Sequence, residues 1–326
     1  MVCVTVICGE ESRLCRSDSP LLLADAVRMT GLPLTMPCGG NHTCGKCKAQ
    51  AEGELTPPGR WERETLTAQE LAAGIRLLCC ARATGDCRVT LAAGGGAVTT
   101  AFRLDRAAHR SAAAAGIGLA VDIGTTTVAA YLYDRGQGRP LAQAAALNDQ
   151  RSFGADVISR IQYTCDNAPE PLRRAISAQI TAMADLCLHR AGRQAEELTG
   201  FVITGNTTML HFLTGRDARG IARAPFTPAS LFGETLPSSL LFGENGGCLA
   251  AQDIPVYLPA CVSGYVGADL VCALLNAGLE DREETALLVD IGTNGEMALH
   301  RQGHLYVCST AAGPAFEGAG IEQGMS

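Results

Sequence analysis

One nine-residue pattern, met twice, limits what this chain can fold into. Leu119-Ala120-Val121-Asp122-Ile123-Gly124-Thr125-Thr126-Thr127 is echoed 168 residues later by Leu287-Leu288-Val289-Asp290-Ile291-Gly292-Thr293-Asn294-Gly295. Each copy reads as an apolar strand ending in aspartate, then Ile-Gly-Thr and a polar turn into a second strand. A single copy is weak evidence, because such units favour Asp, Gly and Thr on conformational grounds alone. Two copies with matching flanks imply two halves of one domain built alike. The glycine lets main-chain N–H groups face an anion without a Cβ in the way, and the threonine hydroxyls add donors. Gly124, Thr125, Thr126, Gly292, Thr293 and Asn294 are therefore candidate phosphate-binding residues. Asp122 and Asp290 are the candidate catalytic pair, able to hold a metal-bound water or to orient an attacking one while metal ions offset the charge of phosphoryl transfer.

Around these copies strands alternate with helices. Strands are predicted over 119–123, 128–133, 200–204, 254–259 and 286–291. A long helix over 171–190 carries Leu172, Ile176, Ile180, Met183 and Leu186 at helical spacing and stops at Gly192, and further helices run from Met209 and over 266–277. This is α/β architecture. Polar, glycine-bearing junctions at Gly205-Asn206-Thr207-Thr208, Ser263-Gly264-Tyr265-Val266-Gly267-Ala268-Asp269 and Ala312-Gly313-Pro314-Ala315-Phe316-Glu317-Gly318 either present a helix N-terminus to phosphate or are ordinary strand-to-helix turns. Glu296 and Asp156 are polar contributors or solvated surface carboxylates.

The first 91 residues are of another kind. A strand over 2–7, a helix over 21–29 opened by Ser19-Pro20 and closed by Gly31, a short helix behind the capping box Thr67-Ala68-Gln69-Glu70, and strands over 75–78 and 88–91 make a small α+β unit. Within it Cys38, Cys44 and Cys47 share one glycine-rich loop with the spacing C-x5-C-x2-C, and Cys79 follows with 31 residues between it and the third. Cluster sulfurs carry negative charge, and glycines let backbone N–H groups approach them. Plant-type two-iron ferredoxins use C-x4-C-x2-C and a distant fourth cysteine, one loop residue fewer. The alternatives are zinc, which usually takes two close cysteine pairs, or unrelated buried thiols. Cys80 and Cys87 lie near the fourth position. Neighbouring strand residues face opposite sides, so only one of Cys79 and Cys80 can point at the loop, and Cys79 is the choice. The six histidines show no ligand spacing and are assigned nothing.

Between the two regions, residues 92–118 turn to Ala and Gly, with runs at 94–96 and 112–115, and read as a linker with a possible short helix over 102–111. The chain has 326 residues, 47% of them hydrophobic, enough for more than one core. With 26 basic and 33 acidic residues, a net charge of −7 and no long run of one sign, a nucleic-acid partner is disfavoured. No segment is apolar for long enough to cross a membrane. Fifteen cysteines and an N-terminus without a signal sequence point to a reducing cytoplasm.

The paired Asp-Ile-Gly-Thr hairpins resemble the phosphate loops of the acetate and sugar kinase, heat-shock chaperone and actin superfamily (ASKHA), whose fold closes two similar lobes around ATP and magnesium. Joined to the cysteine module, and with Asn148-Asp149-Gln150, Phe153-Gly154-Ala155-Asp156-Val157-Ile158-Ser159-Arg160, Gly205-Asn206-Thr207-Thr208-Met209, Val266-Gly267-Ala268-Asp269 and Asp290-Ile291-Gly292-Thr293-Asn294-Gly295-Glu296, the chain resembles the reductive activators of corrinoid proteins. The resemblance implies an α+β ferredoxin-like β-grasp domain (1–91), the linker (92–118), and an α/β ASKHA region in two parts, 119–250 and 251–326. It implies a 2Fe–2S cluster on Cys38, Cys44, Cys47 and Cys79, and ATP with Mg2+ at the paired turns. The expected partners are a corrinoid protein, reduced from cobalt(II) to cobalt(I), and an upstream electron donor. A carrier alone reduces little of so low a couple, and nucleotide-dependent binding favours the reducible state by differential affinity. Two other readings compete: a ferredoxin-type carrier whose second region only docks, and an ASKHA kinase of a small metabolite with a regulatory cluster. The chain stops 36 residues past Asp290, where a second lobe needs well over ~100 more, so it reads as a C-terminally truncated fragment. No adenosine-binding segment is identifiable, which leaves ATP hydrolysis by this length of chain open.

Overall fold

Val2, Val4 and Val6 alternate with half-exposed residues, and this period of two makes β1 (Val2–Cys8) a strand with one face in a core. The computed structural model describes residues 1–92, 116–243, 253–279 and 281–311 apart from Pro37 and Thr43, and also Gly247 and Leu249. The runs at 94–96 and 112–115, the helix read over 102–111 and the junction at 312–318 lie outside the described residues. The chain divides into two compact units, the first comprising residues 1–92 with Asp149–Tyr163, the second 116–148 with the described residues from Thr164 onward.

In the first unit β1 pairs antiparallel with β2 (Glu11–Ser17) across a turn at Gly9-Glu10. The helix predicted to open at Leu21 behind Ser19-Pro20 starts at Leu23 instead and runs to Thr30, because Leu21 and Leu22 are drawn into a short strand β3 (Leu21–Leu22) against Ala83 and Arg82. Strands β4 (Lys48–Leu55), β5 (Ile75–Leu77) and β6 (Arg82–Leu91) complete a sheet of order β2-β1-β6-β4-β5, with β3 also on β6. Only the β1–β6 pair is parallel. Helix Leu23–Thr30 covers it, and Leu23, Val27, Leu77, Leu78 and Val89 are fully or almost fully buried, each worth about 1.5–3 kcal/mol. The predicted capping box is formed: Glu70 N donates to Thr67 Oγ1 (3.2 Å) and Thr67 N to the Glu70 carboxylate (2.8 Å), opening helix Ala68–Ala72. The segment Asp149–Tyr163 belongs to this unit. Arg28 donates to the Ser152 carbonyl (2.9 Å), and its guanidinium lies 5.0 Å from the Phe153 ring centre.

The second unit is built on β7 (Ile117–Ile123), β8 (Thr127–Asp134), β9 (Arg139–Leu147), β10 (Leu198–Gly205), β11 (Glu234–Pro237) and β12 (Pro255–Leu258), in the order β11-β12-β10-β7-β8-β9. β7, β10 and β12 run parallel and the others antiparallel. Helix Glu170–Ala191 packs on β8 and β9 through Leu172, Ile176, Ile180, Met183 and Cys187. Leu186, read as part of that stripe, is 41% exposed, one position off the buried row. A second sheet of β13 (Ala286–Ile291), β14 (Asn294–Arg301) and β15 (His304–Ala311) is antiparallel throughout. It shares a small core with helix Ala268–Ala277 through Leu270, Leu274 and Ala298.

Candidate functional site

The first unit gathers its thiols where the 38–47 loop meets the chain leaving β5. After Leu77 the backbone turns tightly, with Cys80 N and Ala81 N both donating to the Leu77 carbonyl, and this turn presents two cysteines side by side. The sulfurs of Cys47 and Cys79 are 3.3 Å apart, and those of Cys38 and Cys44 are hydrogen-bonded to each other. Four thiols thus stand as two pairs. Gly39, Gly40 and Gly45 hold positive φ values of 60°, 97° and 61°, which turn the loop's backbone, and Lys46 N donates to Cys44 Sγ (3.4 Å). Cys47 and Cys79 are buried, while Cys38 and Cys44 are half-buried. Their shared hydrogen bond holds the Cys47 thiol down at about 6 and pushes Cys79 up, while burial first, then the contact with Cys38, raises Cys44. An easily lost proton in the Cys47–Cys79 pair is what a thiolate ligand requires.

Cys80 also belongs to this cluster, its sulfur 3.6 Å from that of Cys79, since the two occupy a turn where the strand argument of opposite faces does not apply. Cys79 stands against Cys47, whereas Cys87 lies in β6 beside Val4 and Gly53 as a buried thiol. His42, assigned nothing from the sequence, has its Nδ1 3.3 Å from Cys79 Sγ and 3.2 Å from Cys80 Sγ. No local spacing signals it, because 37 residues separate His42 from Cys79. No disulfide links the described cysteines.

In the second unit the two repeated turns meet: Thr126 Oγ1 and Thr293 Oγ1 are 3.0 Å apart. Gly124 is fixed by Asn148 Nδ2, which donates to its carbonyl (2.8 Å), and Thr125 by Asn206 Nδ2, which donates to its hydroxyl (3.0 Å). Asn206 also caps helix Thr207–Thr214 by accepting from Met209 N (3.0 Å). Gly292 N donates to the Asn294 carbonyl (3.0 Å), closing the second turn. Gly267, at the head of helix Ala268–Ala277, packs so closely on Asn206 that a Cβ would lie 2.4 Å from the Asn206 Cα. Two of the three polar junctions are therefore drawn to the first turn.

Asp122 and Asp290 stand accessible at the ends of their strands, and Asp269 and Glu296 join them. Surrounding protein, then Asp269 and Asp290, pushes the Asp122 carboxyl up to about 7. Burial and Asp290 raise Asp269 to about 6, and burial, Asp269 and Asp290 raise Glu296 to about 7. Sequence reasoning left Glu296 undecided and gave Asp269 no role. The first is 7% exposed and both share one electrostatic neighbourhood with the repeated aspartates. Asp156 belongs to the first unit, where it accepts from Ser159 N (2.7 Å) at the start of helix Val157–Asp166. Clustered carboxylates that repel one another have the donor chemistry of a hard divalent cation site. All three raised groups keep protons in the folded state that the unfolded chain gives up between about pH 4 and 7, so stability falls as pH rises through that window. The melting temperature is expected to drop from about pH 5 to 7.5, less so in Asp122→Asn, and magnesium is expected to restore more at the higher pH. A pH slope unchanged by that substitution and by magnesium would contradict the electrostatic account.

Residues 117–282 match the family model described as the RACo middle region, and residues 284–326 that of the C-terminal domain of RACo, the ASKHA domain. The corrinoid activation enzyme RamQ of Eubacterium limosum is 36% identical over 220 residues, 64% of this chain and 34% of that protein. The Co(II) methylated amine-specific corrinoid protein reductase of Methanosarcina barkeri is 26% identical over 219 residues, 64% of this chain and 38% of that protein. The solved structure of a reductive activator for corrinoid, iron-sulfur protein superimposes with a TM-score of 0.60 at 26% identity, covering 100% of this chain and 65% of that one. The chain thus spans little more than a third of the curated relatives it matches. It contains an ASKHA-type α/β region, with the ASKHA-domain match at residues 284–326.

Proposed function

The chain belongs to the RACo family, and on that premise we propose that it is an iron–sulfur electron carrier that returns the cobalt of a corrinoid protein from cobalt(II) to cobalt(I), under the control of ATP binding and hydrolysis, in support of cobalamin-dependent methyl transfer. The observation that carries this reading is the presence in one chain of two thiol pairs, Cys38 with Cys44 and Cys47 with Cys79, and of two repeated turns meeting at Thr126 and Thr293. Residues 1–91 are the ferredoxin-like β-grasp domain, 92–118 the linker, and 119–250 and 251–326 the two parts of the ASKHA region.

The four thiolates hold a 2Fe–2S cluster, which supplies a one-electron couple. Two pairs suit two irons, each taking two thiolates, better than they suit one zinc at the centre of a single tetrahedron. In the ASKHA region Gly124, Thr125, Thr126, Gly292, Thr293 and Asn294 offer donors to the phosphates of ATP. Asp122 and Asp290, with Asp269 and Glu296, hold magnesium and orient the attacking water. Asn206 and Asn148 keep the first turn in place. The named relatives act on corrinoid proteins, and the same class of partner fits here, with an upstream donor refilling the cluster. Free thiols of this kind belong in a reducing compartment, the cytoplasm. Among the described residues no helix is long and apolar enough to cross a membrane, and the charge of −7 does not favour nucleic acid.

The test mixes the full chain, reconstituted anaerobically with iron and sulfide, with a cobalt(II) corrinoid protein and a low-potential reductant, and follows the cobalt(I) absorbance. Magnesium ATP is expected to speed or extend the reduction. Equal rates with and without nucleotide would exclude this function and leave a ferredoxin-type carrier with a docking module.

A further inference from the structure

His42 is a residue of the cysteine loop whose backbone and side chain are both unusual. Its φ of 60° lies in the left-handed region, uncommon for any residue with a side chain, although histidine enters it more readily than most. The other described positive-φ positions of the loop, Gly39, Gly40 and Gly45, are glycines. The histidine is the one described non-glycine residue of the loop at positive φ, and its side chain has a use there.

That use lies in the imidazole. Nδ1 sits 3.3 Å from Cys79 Sγ and 3.2 Å from Cys80 Sγ, and the three atoms lie within 4.8 Å of one another. The ring is stacked on Trp61 at a centroid distance of 6.2 Å and an interplanar angle of 20°, and the Arg60 guanidinium lies 5.6 Å from the Trp61 ring centre. The stack sets the plane of the imidazole and so the direction of its Nδ1. We propose that His42 is a positioning residue for the cluster, its Nδ1–H donating a hydrogen bond to the sulfur of the fourth ligand, Cys79, and favouring the reduced state.

The donor assignment follows from ligation. A thiolate bound to iron carries no proton and can only accept, so the hydrogen between the two atoms must sit on Nδ1. Reduction by one electron makes the ligand sulfurs more negative and strengthens that bond. The protein's levers on such a couple include hydrogen bonds to the sulfurs. Nδ1 lies as near Cys80 Sγ as Cys79 Sγ, and it is the contact with Cys47 that marks Cys79 as the ligand to receive the hydrogen bond.

This inference rests on the four cysteines holding a cluster, and its test separates the two claims. The full chain and the variants His42→Phe and His42→Gly are reconstituted with iron and sulfide and titrated by potentiometry at one pH, with the reduced cluster read by electron paramagnetic resonance. Phenylalanine keeps a ring on Trp61 but has no donor, and glycine removes both ring and donor. Both variants are expected to bind iron and sulfide as the wild type does. Both are expected to shift the reduced-to-oxidised ratio at a fixed potential about tenfold toward oxidised, about 59 mV for a one-electron couple. Labelling with 15N-histidine is expected to give a weak hyperfine coupling in the reduced wild type that both variants lack. A potential unchanged in His42→Phe overturns the proposal while leaving the cluster intact, and a strong coupling overturns it in favour of direct iron–nitrogen ligation. A wild-type chain that takes up no iron overturns the cluster itself, and the proposal with it.

Discussion

Cys44→Ser in the full chain, loaded anaerobically with iron and sulfide, is expected to lose the visible charge-transfer bands. Cys44 is half of the Cys38–Cys44 pair, and Lys46 N already points at its sulfur. A serine hydroxyl is a hard, protonated donor at neutral pH, so one iron keeps only Cys38 from the loop. Cys87→Ser is the matched control. That thiol sits in the β6 core, where burial pushes it up to about 11, and its loss should cost packing but leave absorbance and iron content intact. Unchanged colour and iron content in Cys44→Ser would defeat the ligand assignment.

The largest loss of stability is expected from Glu62→Ala. Glu62 and Arg76 are 1% and 6% exposed, a buried ion pair. The Glu62 carboxylate accepts from Arg76 Nε (2.8 Å) and Nη2 (2.9 Å), from Leu77 N (3.2 Å) and from Gly59 N (3.0 Å). Burial alone would raise its pKa, but these donors outweigh burial and the group lies below the ordinary glutamate range. Alanine strands a buried guanidinium and two backbone N–H groups at once, a change that costs about 3–5 kcal/mol. Since Leu77 opens the turn that carries Cys79, the same substitution should also lower iron content. The measurement is urea denaturation followed by a probe in the first unit, with Glu62→Gln as the milder companion. A midpoint unmoved by Glu62→Ala would show that the pair contributes nothing net.

Much of this was legible in the residues because the informative signals were local. Strand 286–291 and the helix ending at Gly192 follow from periodicity and a stop residue, and the Thr67 box announced its helix. What escaped were elements held by partners rather than by their own preferences. β9, Arg-Pro-Leu-Ala-Gln-Ala-Ala-Ala-Leu, is rich in alanine and leans to helix by propensity, yet pairing with β8 and packing against helix Glu170–Ala191 make it a strand. β4, Lys-Ala-Gln-Ala-Glu-Gly-Glu-Leu, is likewise set by β5 and β6. At the sites, the loop cysteines and the repeated turns could be named from spacing. His42 could not, because its partner Cys79 lies 37 residues away, and Asn206 and Asp269, named only within junctions, took individual roles only from partners distant in sequence.

The fit of Gly267 against Asn206 has a mechanical consequence. With no room for even a methyl group between them, the loop leading to Asp269 and the loop that holds Thr125 through Asn206 have no slack to slide past each other. A side chain at position 267 would have to push these two segments apart, so the spacing between Asp269 and the first repeated turn is set by a residue that carries no side chain at all.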